Sequence, residues 1–373
     1  VESVSDSSTE TIPRRPRLSR KSWGVTLLTL SVVGTLGLAV VPAPYVIEMP
    51  GPVYNTLGSI TDADGKDTPL ITVSGTATYP TDGELSMLTV YVTGSPESHP
   101  TWFEVAAAWM RPDYAVLPME LFYPAGTTRT DSVNAAKIQM DNSQQEAIAA
   151  ALTNQGIPFE SEIVVAEATP GYPAEKLVEP GDIVKTADGV AINNVSDLRA
   201  IIKTAGIGNS IELVVERKGE TVALTVGIVA SDHDGETPVI GILCGGTYRF
   251  PFDVNISLAD VGGSSAGMMF ALGIIDTITP GLLNGGENVA GTGEISADGL
   301  VGPIGGIVQK AFGARNSGAT WMLVPADNCA ALFGRVPDGL RDVSVSTLDD
   351  AMAALLAIST QSGTEALPHC SAG

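Results

Sequence analysis

Hydrophobic and polar positions change their spacing several times along the chain, and each change marks an element. Residues 23–41 form an uncharged, mostly apolar run of 19 residues, close to the roughly 20 that a membrane-spanning helix needs. Residues 45–48 read as a strand that meets a turn at Met49-Pro50-Gly51-Pro52. Residues 71–73 and 85–92 alternate apolar and polar side chains with β-branched residues, which predicts strands. Residues 101–110 predict a helix stopped at Arg111-Pro112. Residues 130–152 are helical in character, and Ser143-Gln144-Gln145-Glu146 has the spacing of a capping box, so a second helix is predicted to restart there.

From about 156 to 230 the pattern shortens into a compact β-rich unit. It has a strand at 163–166, a turn into a second strand at Pro180-Gly181-Asp182, and a hairpin turn at Ala187-Asp188-Gly189. Ser196 is the predicted N-cap of a helix over 197–204. Two strands follow, at 211–217 and 221–226, joined around Lys218-Gly219-Glu220. This order, with the segment TPGYPAEKLVEPGDIVKTADGVAI inside it, resembles a bacterial PDZ domain. PDZ domains take extended chains by adding a strand to a sheet edge. No Gly-Leu-Gly-Phe type carboxylate loop is visible, so recognition of a chain's C-terminus does not follow from the resemblance. After residue 231 the chain mixes apolar strands, Gly-rich turns and helices as far as about 358, and a polar tail over 359–373 is expected to be loose.

Charge changes this picture in two ways. The formal net charge of −22 describes a surface that repels nucleic acid, so no nucleic-acid partner is expected. Five of the 20 Lys and Arg residues lie at Arg14, Arg15, Arg17, Arg20 and Lys21, and the next after the apolar run is Lys66. The positive-inside rule then predicts a disordered cytoplasmic tail over 1–22, a single-pass anchor in the cell membrane over 23–43 and an extracytoplasmic remainder. A cleaved signal peptide and a buried soluble helix are the competing readings of the same run. Three cysteines, Cys244, Cys329 and Cys370, contain no CxxC pair; a disulfide framework is not indicated, and one bridge stays open. No metal or other cofactor is expected.

Candidate chemistry gathers in two motifs. In the first, a Gly-rich bend, Val261-Gly262-Gly263-Ser264-Ser265-Ala266-Gly267, opens into the apolar helix Met268-Met269-Phe270-Ala271-Leu272. Ser265 would lie where free backbone N–H groups and the positive end of the helix dipole favour a developing oxyanion. In the second, Gly291-Thr292-Gly293-Glu294-Ile295 leads through Asp298-Gly299-Leu300-Val301-Gly302-Pro303-Ile304-Gly305-Gly306 into a helix holding Lys310. There Ile307, Lys310, Ala311 and Ala314 share one face by i, i+3, i+4, i+7 spacing. A lysine on such a face either snorkels to water or is desolvated until its neutral amine can act as a base.

Together the motifs resemble the proteolytic domain of the Lon family, in which a serine followed by Ala-Gly and a lysine after Pro-Ile-Gly-Gly form a Ser–Lys dyad. GGSSAGMMFALGIID, AGTGEI and DGLVGPIGGIVQKAFGARNSGA stand in that order, and with EMPGPVYNTLG near the start the layout is similar to bacterial membrane-anchored PDZ-containing Lon-like peptidases. The resemblance implies Ser265 as nucleophile, Lys310 as general base, Thr292 as the residue that orients the lysine, and the backbone at Gly263 and Ser264 as the oxyanion hole. The family commonly has Pro before the nucleophile, where this chain has Ser264, so Ser264 is a second serine to weigh; the Ala-Gly that follows favours Ser265.

The implied fold is α+β: a transmembrane helix, then a PDZ-like domain over 156–230 inserted into a Lon-type proteolytic domain built from 44–155 and 231–358. The implied function is ATP-independent extracytoplasmic endopeptidase activity on proteins or peptides, with a homo-oligomer, in the form of a hexameric ring, as a further expectation. A membrane-tethered PDZ adaptor with an inactive peptidase fold is the alternative. GSSAG also satisfies the G-x-S-x-G of α/β-hydrolases, but the one histidine after Ser265 is His369 in the tail. Neither a Ser-x-x-Lys at Ser265, nor HExxH, nor a nucleotide-binding G-x-x-x-x-G-K-[ST] occurs.

Overall fold

The computed structural model describes residues 20–61, 65–124, 126–232, 235–258 and 261–371. In chain order the elements that matter are helix α1 (Arg20–Val40), strands β1 (Tyr45–Asn55) and β2 (Glu84–Thr93), helix α2 (Trp102–Trp109), strand β3 (Ala115–Pro118) and helix α3 (Arg129–Asn154). The β-rich unit follows, with β4 (Glu160–Ala168), β5 (Ile183–Ala187), α4 (Val195–Ala205), β6 (Ser210–Arg217), β7 (Glu220–Gly227) and β8 (Ile242–Arg249). The last part holds α5 (Gly267–Ile278), β9 (Asn288–Gly291), β10 (Glu294–Ile295), β11 (Val301–Gly302), α6 (Ile307–Asn316), β12 (Trp321–Pro325), β13 (Arg341–Val345) and α7 (Leu348–Ser359).

Two sheets organise the molecule. The first is mixed, in the order β13-β12-β9-β2-β1-β3. β9 pairs in parallel with β2, Leu85 facing Val289 and Met87 facing Gly291, so strands about 200 residues apart in sequence are neighbours. The second sheet is antiparallel, in the order β7-β6-β5-β4-β8, with its own core of Ile163, Val165, Leu198, Leu213 and Val215. The chain therefore leaves the first sheet, builds the second, and returns. α5 lies between the sheet and α3 with every side chain from Met268 to Ile275 buried; a helix apolar on all sides is stable only inside a core.

Several local expectations change. Helix α1 forms where the anchor was predicted, with exposed Trp23, Val25, Leu27 and Leu28, but Gly24, Thr26, Thr29, Ser31, Gly34 and Thr35 are interspersed. Among the described residues no helix is long and apolar enough to cross a membrane, so the predicted span is not borne out. The predicted disordered tail lies, through residue 19, outside the described residues. Met49-Pro50-Gly51-Pro52 is not a turn: β1 continues through it with a bulge between Pro50 and Val53. Gly51 is required there, because a β-carbon would stand 2.3 Å from Thr89 Oγ1 and 2.8 Å from the Thr89 carbonyl carbon.

α3 runs unbroken through Ser143, capped instead by Thr128 and Asp131. Ser143 is buried, and its hydroxyl has a tertiary partner rather than a capping one. The cap of α4 is Asn194, two residues before Ser196, with its side chain accepting from Asp197 N at 2.8 Å. Within the C-terminal tail expected to be loose, Cys370 is held: it is disulfide-bonded to Cys329, and its N–H donates to Asp342 Oδ2 at 2.6 Å.

Candidate functional site

Three segments converge on one cleft of about 650 Å³, which Glu48, Ser264, Ser265, Glu294 and Lys310 line among others. The first is the Gly-rich bend before α5. Two contacts from α3 shape it: Gly263 N donates to Ala136 O at 2.8 Å, and Ser143 Oγ donates to Ser264 O at 3.0 Å. Gly262 fits because a β-carbon there would meet Ala136 Cβ at 2.7 Å, and Gly263 adopts φ 95°, a region that glycine enters without steric cost. Ser265 follows, half-buried, two residues before the helix begins.

The second segment is the β9–β10 connection. Thr292 is fully buried, donates from Oγ1 to Ser265 O at 2.9 Å and accepts from Lys310 Nζ at 3.0 Å. Gly293 N also donates to Ser265 O at 2.9 Å, and Gly293 O accepts from Met268 N at 3.1 Å. The serine bend and the threonine strand are thus stitched together by three hydrogen bonds through main-chain atoms. Glu294, the next residue, accepts a hydrogen bond from Ser264 Oγ.

The third segment is α6. Gly306, at φ 67°, lets the chain turn tightly against β1 and β2, where a β-carbon would stand 2.7 Å from Val90 Cγ1. One turn later Lys310 is 2% exposed, and Ile307, Ala311 and Ala314 are buried with it as their spacing predicted. Burial brings the Lys310 ammonium down to about 7, against the opposing pull of Glu48 and Glu294. Glu48 itself is 5% exposed, and burial pushes its carboxyl up while Lys310 draws it down.

The lysine is therefore not snorkelling to solvent. Its amine is held by Thr292, which is in turn anchored to the serine's own carbonyl. No hydrogen bond joins Ser265 Oγ to Lys310 Nζ; catalytic contacts of this kind commonly tighten only when substrate arrives. The predicted oxyanion pair is altered in one member. Gly263 N–H is committed to Ala136, whereas the N–H groups of Ser264 and Ser265 donate to no protein acceptor among the described residues.

The motifs did not single out Glu48, Glu294 as a partner of Ser264, or Ser143. Ser143 did appear in the sequence as a capping box, which is the signal that misled. Among the described residues no cluster of His, Cys, Asp and Glu is placed to hold a metal ion.

A charged amine held uncharged costs stability, because the unfolded chain binds the proton more tightly. With a free value of 10.5 and a folded one of about 7, the cost is full below pH 7 and is relieved as pH rises towards 10.5. Lys310→Met is therefore expected to stabilise the fold at pH 7 by on the order of 2 kcal/mol. Thr292 keeps its bond to Ser265 O, and Glu48 loses the neighbouring charge that draws its carboxyl down. Thermal unfolding of the two proteins at pH 7 and pH 9 checks this: the gap should narrow at the higher pH, and a variant less stable at both would contradict it.

Comparison with known proteins bears on the same segments. The family described as the Lon protease (S16) C-terminal proteolytic domain matches residues 259–358, which include Ser265, Thr292 and Lys310. A PDZ domain family matches residues 136–228, beginning inside α3 and so earlier than residue 156. Lon protease 2 of Bacillus subtilis (strain 168) is 35% identical over 136 residues, 36% of this chain and 21% of that protein. Lon protease 1 of Sorangium cellulosum (strain So ce56) is 36% identical over 115 residues, 30% of this chain and 14% of that protein. The PDZ domain of the SdrC-like protein from Listeria monocytogenes is 22% identical, covering 22% of this chain and 85% of that one at a TM-score of 0.21. The chain spans about a fifth or less of the length of these curated relatives. One segment of the chain is thus similar to PDZ domains and a later one to the C-terminal proteolytic domain of Lon proteases.

Proposed function

We propose that this protein is a serine endopeptidase in which Ser265 is the nucleophile and Lys310 the general base. The observation that carries this reading is the buried amine: Lys310 is 2% exposed, brought down to about 7, and tied through Thr292 to the backbone of Ser265. Neutral Lys310 takes the proton of Ser265 Oγ as that oxygen attacks a peptide carbonyl. The tetrahedral oxyanion is received by N–H groups of the 264–265 turn. Collapse breaks the C–N bond, the amine product leaves with the proton from Lys310, and an ester to Ser265 remains. Lys310 then deprotonates a water that hydrolyses the ester and regenerates the serine.

In this reading the reaction draws no energy from ATP, because neither the attack on the carbonyl nor hydrolysis of the ester needs a phosphoryl group. It takes place outside the cytoplasm, a placement supported by the Cys329–Cys370 disulfide, because such bonds persist in oxidising compartments. The PDZ unit holds extended substrate. Its sheet ends at β8, whose outer edge faces α4 across a groove lined by Val195, Leu198, Ile202, Ile240 and Ile242.

The test is proteolysis of a reduced, alkylated model protein without nucleotide, alongside a short fluorogenic peptide. Wild-type protein is expected to cleave both. Leu243→Asp, which puts a charge on an exposed side chain lining the groove, is expected to lower protein cleavage about tenfold and to spare the peptide. Equal loss on both substrates would take substrate holding away from this groove.

A further inference from the structure

We propose that the PDZ groove, an interdomain trough and the catalytic cleft form one continuous track, so that a single extended substrate chain occupies all three at once. The inference rests on the peptidase reading and adds where the substrate lies. The groove between α4 and β8 encloses about 330 Å³. A trough of about 360 Å³ begins where the groove ends, and Val195, Arg199 and Cys244 line both. The trough in turn shares Glu294 with the catalytic cleft, and Glu294 touches the residue before Ser265. Each junction is therefore made by side chains that face two spaces at once.

β8 gives the track its direction. It is the edge strand of its sheet and runs from Ile242 beside the groove to Gly245 and Gly246, which line the trough. A chain adding to the free edge antiparallel to β8, the more stable pairing, would enter the groove after passing the two glycines. The part lying in the trough and cleft then precedes the held part in sequence, so cleavage falls upstream of the segment in the groove. Gly245 faces open space, where a β-carbon would meet nothing within 4 Å, whereas one on Gly246 would stand 2.1 Å from Tyr248 Oη. The wall opposite is fixed by Glu146 on α3, which accepts from Tyr248 Oη at 2.7 Å on β8 and from Ala297 N at 2.7 Å on the β10–β11 hairpin. That carboxylate holds the two domains at a set separation along the trough.

Gly245→Trp tests the track, because an indole there fills open space in the trough without touching Ser265, Thr292 or Lys310. Gly245→Ala is the control for folding, and thermal unfolding checks all three proteins. The ratio of reduced, alkylated protein turnover to short-peptide turnover is expected to fall at least tenfold in Gly245→Trp and to hold in Gly245→Ala. A second measurement uses the wild-type protein and a 40-residue unstructured peptide, with a five-residue spacer inserted at successive positions and the products read by mass spectrometry. Cut sites are expected to move with the downstream segment, keeping a fixed distance to it. An unchanged ratio in Gly245→Trp, or cut sites indifferent to the spacer, would overturn the track. Peptide cleavage by Ser265→Ala protein would instead overturn the catalytic reading on which it rests.

Discussion

Ser265→Ala is expected to lower turnover of both protein and peptide by on the order of 10³-fold or more, with the fold intact. The substitution removes one oxygen from a half-buried side chain, and the two hydrogen bonds that Ser265 receives are to its main-chain carbonyl, which stays. Lys310→Met is expected to lose as much, since it fills the buried volume but offers no basic nitrogen. Lys310→Ala also opens a cavity, so a loss there mixes chemistry with packing. The informative third variant is Ser264→Ala. Its hydroxyl is engaged by Glu294 rather than standing beside the amine, so turnover should stay within about tenfold of wild type. Steady-state rates on the peptide separate these outcomes: a dead Ser264→Ala beside an active Ser265→Ala would reverse the assignment of the nucleophile.

Turnover should rise with pH along a limb centred near 7. In the proposed mechanism Lys310 is a base only when neutral, and burial brings it down to about 7. Two pH units below that value about 1% of the enzyme carries the neutral amine, so kcat/KM at pH 5 should be roughly 100-fold under its plateau. The limb belongs to a cluster. Glu48 from β1 and Glu294 from β10 both hold the lysine towards its charged form, Glu48 more strongly. Glu48→Gln is therefore expected to move the limb to lower pH, raising activity at pH 6 relative to the plateau. Glu294→Gln should move it the same way by less. A limb that stays in place in Glu48→Gln would show that burial alone sets the lysine, and an optimum clearly below pH 6 would remove the amine as the base.

The two candidate-site motifs were legible because each is a local pattern with a local cause. Gly262 and Gly263 mark a bend that side chains would block, and the spacing of Ile307, Lys310, Ala311 and Ala314 puts an amine on a buried face whatever the rest of the fold does. The β-rich unit was equally legible, since its turns at Asp188-Gly189 and Lys218-Gly219 adopt the positive φ their residues suggest. Less visible was whatever depended on a partner distant in sequence. Ser143 has capping-box spacing, but 121 residues separate it from the carbonyl it serves. Met49-Pro50-Gly51-Pro52 has turn composition, but the close approach of Thr89 makes it a bulge inside a strand.

By itself, then, the sequence determined which side chains are the candidates for the proposed chemistry and the order of the elements that hold them. Those follow from periodicity and from backbone freedom, which are properties of neighbouring residues. Only the tertiary structure decided that Thr292 bridges Lys310 to Ser265, that Glu48 shares the lysine's cleft, that Gly263 N–H is committed to Ala136, and that one trough shares lining residues with both the groove beside α4 and the cleft holding Lys310. Each of these depends on the charge, hydrogen-bonding groups or open space that one segment meets in another. Desolvation and Coulomb interaction act across space, and no spacing along the chain encodes the distance at which they act.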